Sequence, residues 1–215
     1  MKREYPETPA AWREFAVAQN EDELRIGGWL VMHTWERALM AALAEAVTRG
    51  SGDVLEVGFG MGISASAIVA RGCRSYTCIE AHPVVAAQAR AWGAQQTVPV
   101  TVLEGFWEEQ VQGLGAQYDG VLFDTYPLTP AERNRNHFPF IPVATRLLRP
   151  GGVFTCYSDE TVDFRAEHLH LLLQHFRRVE LLRVEGLAPP PDPVGWSADH
   201  MVIPIASEPV RPAGG

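Results

Sequence analysis

VLEVGFGMGIS, residues 54–64, runs from an apolar segment into glycines at G-x-G-x-G spacing (Gly58, Gly60, Gly62), and small residues follow through Val69 and Ala70. A short apolar run closed by glycine reads as a buried strand, a tight turn and the start of a helix. Glycine at such a turn lets the backbone approach a ligand and take positive φ without a Cβ clash. Outward from this point strand and helix patterns alternate: YTCIE (76–80), HPVVAAQARAW (82–92) with Pro83 near N1, VPVTVLEG (98–105), YDGVLFD (118–124), FIPVATRLLRPGG (140–152), VFTCY (153–157). Alternation of this kind implies right-handed crossovers and a mainly parallel sheet with helices on both faces, an α/β Rossmann-like architecture. Upstream, WERALMAALAEAV (35–47) reads as an amphipathic helix stopped by Gly50. Residues 1–25 read as an irregular arm or short helices. Downstream come a helix near 165–176, a strand over 178–186, a loop over 188–196 and a last strand near 201–205. One domain over 1–215 is expected, since a chain of 215 residues suffices for one core.

Eighteen basic against 26 acidic residues give a net charge of -8, a field that repels phosphate and disfavours nucleic acid and anionic membranes as partners. A cationic or neutral small substrate suits it. No apolar run approaches the roughly 20 residues that span a bilayer and no N-terminal targeting pattern is present, so a cytoplasmic protein is expected. Cys73, Cys78 and Cys156 have neither disulfide nor zinc spacing. His168, His170 and His175 diverge around a helix and read as solvated, so no metal is expected.

The glycine turn carries Glu56 just before it and lacks the G-x-x-G continuation of a dinucleotide fold, since Ile63 and Ser64 follow Gly62. An acid there suits a cationic amino-acid moiety and favours S-adenosylmethionine over NAD. Glu80, at the end of the next strand, is placed to accept ribose hydroxyls. Gly105, Phe106 and Trp107 offer an adenine platform, against the alternative that both aromatics are core. Asp124 ends a buried strand, where ligands of open α/β sheets bind; a turn-initiating aspartate three residues before Pro127 is the plainer alternative.

LRIGGWLVMHTWE (24–36), VLEVGFGMGIS, IEAH (79–82), EGFWE (104–108), YDGVLFDTYPL (118–128), RLLRPGGVFT (146–155) and the PPPD run followed by HMVIPI together resemble the guanidinoacetate N-methyltransferase family. The resemblance implies a class I methyltransferase fold of seven strands with the last one antiparallel, S-adenosylmethionine as cofactor and a small guanidino substrate. It places the cofactor's methionine end near Met32, Met40 and the turn Phe59, Gly60, Met61, Gly62, Ile63, Ser64, its ribose on Glu80, its adenine by Gly105 and Phe106, and its methyl group before Asp124. It gives Glu36 and Asp124 the grip on the guanidinium, Tyr126 a wall of the substrate site, and Trp12 a lid over it. Two carboxylates suit a planar guanidinium with forked donors. The chain departs from the family at SDET (158–161), where Asp159 and Glu160 replace leucine and threonine. Those acids either select a substrate with a second positive charge, such as arginine or agmatine, or lie in the first turn of a helix capped by Ser158. A protein-arginine methyltransferase and a catalytically silent cofactor-binding partner are the competing functions.

Overall fold

The computed structural model describes residues 5–114, 117–161, 164–190 and 198–210. Three short strands, β1 (Val17–Gln19), β2 (Glu23–Ile26) and β3 (Trp29–His33), pair in order as an antiparallel sheet. The 1–25 segment is therefore more ordered than its polar sequence predicts: after a short helix α1 (Pro9–Glu14), it supplies a strand whose partners lie just downstream. Leu24, Ile26 and Met32 bury the inner face of this sheet.

The main sheet holds β4 (Asp53–Val57), β5 (Ser75–Glu80), β6 (Val100–Glu104), β7 (Tyr118–Phe123), β8 (Leu148–Cys156), β9 (Phe176–Glu185) and β10 (His200–Pro209), in the order β6-β5-β4-β7-β8-β10-β9. Pairings from β6 through β8 are parallel, and β10 runs antiparallel to both neighbours. The helices are α2 (Arg37–Val47), α3 (Ile63–Ala70), α4 (Pro83–Gly93), α5 (Trp107–Gln110), α6 (Ile141–Leu147) and α7 (Ala166–His175). Alternation along β4 divides the core: Val54 joins residues of α2, α3 and α4 on one face, and Leu55 and Val57 join α6 and α7 on the other. Each fully buried Leu or Ile contributes about 1.5–3 kcal/mol to this packing.

Arg149, Pro150 and both glycines that followed α6 in the sequence reading belong to β8, not to a turn before it. Tyr118 pairs Leu148, and the register shifts before Gly120 pairs Val153, so the Pro-Gly-Gly segment is an irregular strand entry. Pro191 and Asp192 of the PPPD run lie outside the described residues. Among the described residues no helix is long and apolar enough to cross a membrane.

Candidate active site

The strand order reverses direction between β4 and β7, and the carboxyl ends of these strands open onto a cavity of about 1300 Å³. Gly58, Gly60, Glu80, Gly105, Phe106 and Asp124 line it from the sheet side. Trp12, Met32, Glu36, Tyr126 and Asp159 line it from the surrounding segments.

The glycine turn is built by contacts that exclude side chains. Gly58 has φ +96°, and a Cβ there would fall 1.9 Å from the Asp124 carbonyl oxygen; Gly60 has φ +54°, with Met32 Sδ 2.9 Å from its would-be Cβ. Backbone cannot retreat as a flexible side chain can, so Gly58→Ala is expected to destabilise the fold by at least about 2 kcal/mol and to displace Asp124. Chemical denaturation of the variant checks this; an unchanged midpoint would remove the steric argument.

Glu80 Oε2 accepts the Phe59 N–H and Oε1 the His82 N–H, both at 2.8 Å, so this acid ties the turn to the end of β5. The backbone N–H groups of Gly60 and Ala81 add to these bonds, and Glu80 still lines the cavity. Glu56 stands behind the turn, fully buried, rather than in the cavity wall. One of its oxygens accepts the Tyr76 hydroxyl, and Oε1 has no partner. Burial pushes its pKa up to about 8, against the lowering effect of the Ser64 and Tyr76 hydroxyls. Phe59, Met61, Gly62, Ile63 and Ser64 support the turn without lining the cavity, and Met40 is a fully buried core residue of α2. Met61 N–H points to Met32 Sδ at 3.5 Å, which connects β3 to the turn.

Glu36 closes a 3-10 turn (Thr34–Glu36) before α2. Its Oε1 accepts the His33 N–H at 2.9 Å while His33 Nδ1 accepts the Trp35 N–H, a reciprocal cap that fixes the carboxyl toward the cavity. Burial, then the neighbouring Asp124 charge, pushes Glu36 up to about 8, and a hydrogen bond from Tyr157 opposes the shift. Asp124 is half-buried. Its N–H donates to Val57 at 2.9 Å, locking the end of β7 to β4, and burial followed by the charge of Asp159 pushes it up to about 7. Asp159 sits in the left-handed region at φ +59° and is raised to about 6, first by burial, while Arg133 and Arg165 lower it. Three carboxyl groups thus line one cavity, each raised first by burial, with Asp159 adding to the shift of Asp124 and Asp124 to that of Glu36. Such a cluster is complementary to a cation.

Trp12 is buried and stacks on Tyr126 with centroids 5.7 Å apart and rings 8° from parallel, so α1 covers the side of the site next to the loop after β7. Phe106 is partly exposed in the cavity, whereas Trp107 both lines it and packs on Phe123 and Phe140. Glu160 does not join the cavity: it is buried and accepts from Arg165 Nε at 2.6 Å. Ser158 caps no helix, because α7 begins only at Ala166; its hydroxyl donates to the Val202 carbonyl and accepts from the Glu160 N–H. The first-turn alternative for Asp159 and Glu160 is thereby excluded. Tyr157 and Arg133 were not singled out from sequence. The signal for Tyr157 was its place just past β8, the same topological position that Asp124 has past β7. His168, read as solvated, is fully buried.

The residues present fit S-adenosylmethionine on the structure's own terms. A side-chain-free turn faces the cavity at Gly58 and Gly60, an acid ends β5, an aromatic follows β6, and the acids Glu36 and Asp124 line the same cavity. Such a set matches a ligand with a cationic amino-acid end, a ribose and an adenine.

Comparison with known proteins agrees. Protein arginine N-methyltransferase 2 of Saccharomyces cerevisiae is 32% identical over 143 residues, covering 62% of this chain and 34% of that protein. The Debaryomyces hansenii protein of the same name is 30% identical over 147 residues, covering 62% and 33%. The chain spans about a third of the length of these curated relatives. The fold is shared with an O-methyltransferase from Bacillus cereus solved in complex with SAH (TM-score 0.54, 18% identity, 82% of each chain). It is shared also with spermidine synthase from Thermotoga maritima (TM-score 0.58, 14% identity, 90% of this chain and 72% of that one). The family model for guanidinoacetate N-methyltransferase matches residues 4–183. This chain, with its class I methyltransferase fold, belongs to the guanidinoacetate N-methyltransferase family, a family of S-adenosylmethionine-dependent methyltransferases.

Proposed function

We propose that the protein N-methylates the guanidino group of a compound whose other end is an amino-acid zwitterion, with arginine the leading candidate. The observation that carries this reading is that Glu36 and Asp124, from separate elements, line one cavity beside the glycine turn. The name of the matching family and the names of the yeast relatives have the guanidino group in common. Asp159 and Arg133 line the same cavity, with the guanidinium of Arg133 lowering the Asp159 pKa; together they complement an α-ammonium and an α-carboxylate. Guanidinoacetate has the carboxylate without the ammonium, and agmatine has neither a carboxylate nor a zwitterion.

Gly58, Gly60, Glu80, Gly105, Phe106 and Met32 would hold the cofactor, which supplies an electrophilic methyl carbon on a sulfonium. Glu36, held by the His33 N–H and by Tyr157, orients the guanidinium. Asp124 takes the proton that the attacking nitrogen loses. A guanidinium titrates above about 12, so even with Asp124 at about 7 a gap of roughly 5 units, about 7 kcal/mol, opposes proton transfer ahead of bond formation. The proton therefore moves as the nitrogen–carbon bond forms. Trp12 and Tyr126 keep water from the acids.

A second reading, methylation of an arginine within a protein, is favoured by the yeast relatives' name. Mass spectrometry after incubation with S-adenosylmethionine and, separately, arginine, agmatine, guanidinoacetate and an arginine-containing peptide separates the two. A gain of one methyl group on arginine is expected, with KM raised on the order of 10-fold or more in Asp159→Asn. Product with the peptide alone would transfer the reading to a protein substrate. Product with guanidinoacetate alone, indifferent to Asp159→Asn, would overturn the role of Asp159.

A further inference from the structure

Behind the cavity wall, three side chains that the mechanism does not use meet in the core. His137 comes from the segment before α6, Cys156 is the last residue of β8, and His168 lies in the first turn of α7. His137 is 1% exposed and the other two are fully buried. One ligand atom from each lies within 4.8 Å of the other two. His137 Nε2 and His168 Nε2 share a hydrogen bond of 2.9 Å, which a cation between them would replace, and His137 Nδ1 has no hydrogen-bond partner. We propose that His137, Cys156 and His168 form a site for a single transition-metal cation of the zinc type, with Glu160 as the outer partner of His168.

Tetrahedral zinc with Zn–N bonds of about 2.0–2.1 Å and a Zn–S bond of about 2.3 Å places its ligand atoms roughly 3.3–3.6 Å apart. To reach that spacing the two imidazoles open by a few tenths of an ångström, and the thiol, within 4.8 Å of both, closes in by up to about an ångström. Two imidazoles and one thiol select borderline and soft divalent cations over magnesium and calcium, which prefer oxygen ligands. Glu160 Oε1 stands 3.4 Å from His168 Nδ1, on the far side of the ring from His137. A carboxylate on the second nitrogen orients a metal-binding imidazole and raises its basicity. Arg165 donates to the same Glu160 oxygen at 2.6 Å and holds that carboxylate in place. Phe138 and Phe164 pack on the His168 ring at centroid distances of 5.0 and 4.4 Å and fix its orientation.

The site's position assigns it a role. Asn134, Asn136, Phe138 and Pro139 line the substrate side of the cavity, and Tyr157, the neighbour of Cys156, bonds to Glu36. A cation on His137 and Cys156 ties that wall to β8 and so fixes the shape of the substrate site from behind, without touching substrate.

The test uses the whole chain stripped of metal by chelation and titrated with Zn²⁺ by calorimetry and with Co²⁺ by absorption. One equivalent of Zn²⁺ is expected to bind with a Kd below micromolar and to raise Tm. Co²⁺ is expected to give a thiolate-to-metal charge-transfer band that is lost in Cys156→Ser. Because a core variant can fail to fold, Cys73→Ser and Cys78→Ser, buried as well, are made singly as the complement and their circular dichroism is compared with that of the native chain: in each folded variant Cys156 remains and the band must persist. No thiolate band in the native chain, or a band lost in a natively folded Cys73→Ser or Cys78→Ser variant, would overturn the site.

Discussion

Asp124→Asn is expected to lower kcat on the order of 10²–10⁴-fold while leaving S-adenosylmethionine affinity within a few-fold of the native value. The backbone of residue 124 does the structural work of this position: its N–H bonds to Val57 and its carbonyl packs against Gly58, and neither changes in the variant. What is lost is a negative charge facing a cation and an acceptor for the departing proton. An amide offers an N–H₂ that opposes the guanidinium donors, so substrate affinity falls as well. Loss of activity through unfolding makes the opposite prediction for stability. Asp124 sits beside Asp159 and raises the pKa of Glu36, so its removal relieves repulsion and leaves Tm at pH 8 unchanged or higher. Isothermal titration with the cofactor, single-turnover rates and a melting curve on one preparation settle the matter. Native turnover in Asp124→Asn would remove it from the chemistry.

The parts of this site legible in sequence are those set by short-range rules. A glycine turn between strand and helix, an acid at the end of each central strand, and a helix led by Glu36 are written within a few residues of one another. The roles proposed for Asp124 and Glu36 come from the resemblance to a known family. Other features depend on which distant segments the fold brings together. The hairpin of β2 and β3 was hidden because its strands are four and five residues long and carry charge. Met40 has the right neighbours in sequence but points into the α2 core. The cluster of His137, Cys156 and His168 spans 31 positions and three elements, so no spacing rule reveals it; the helical period separates His168 from His170 but says nothing of what His168 meets across the core. The segment after β8 defeated local reading for a related reason. SDET has a helix-cap pattern, yet the chain stays irregular there, with Ser158 bonded to β10.

The second large effect is on pH. In the free protein Asp159, Asp124 and Glu36 are raised to about 6, 7 and 8, against ordinary values near 4. A guanidinium keeps its charge throughout this range, so any pH dependence of its binding belongs to the protein. To grip the cation, Asp124 and Glu36 must both be carboxylates, and below pH 7 that requires release of the protons they hold. Affinity for a guanidino substrate, at saturating cofactor, is therefore expected to rise on the order of 10-fold or more between pH 6 and 7 and to level off above about 8. The sign for stability is the reverse. A carboxyl whose folded pKa lies above its unfolded one contributes stability that is complete below about pH 4 and is lost as pH rises through the folded value. Tm of the free protein should accordingly fall from about pH 7 to pH 8.5, with Glu56, raised to about 8, adding to the decline; below pH 7 the buried His137 and His168, held under the ordinary imidazole value, add stability as pH rises and offset it. Substrate should restore more of the loss at pH 8 than at pH 6. Glu36→Gln separates this linkage from a general alkaline effect. The glutamine oxygen can still accept the His33 N–H, so the cap survives, while one titrating carboxyl disappears. The variant's affinity should climb less steeply with pH, and at pH 8 it should bind the cation roughly 10- to 100-fold more weakly than the native protein, the loss expected for a charged hydrogen-bond partner. Calorimetry in two buffers of different ionisation enthalpy counts the protons released per guanidinium bound at pH 7. A count near zero in the native protein, or an identical count in Glu36→Gln, would mean that these acids do not hold the substrate.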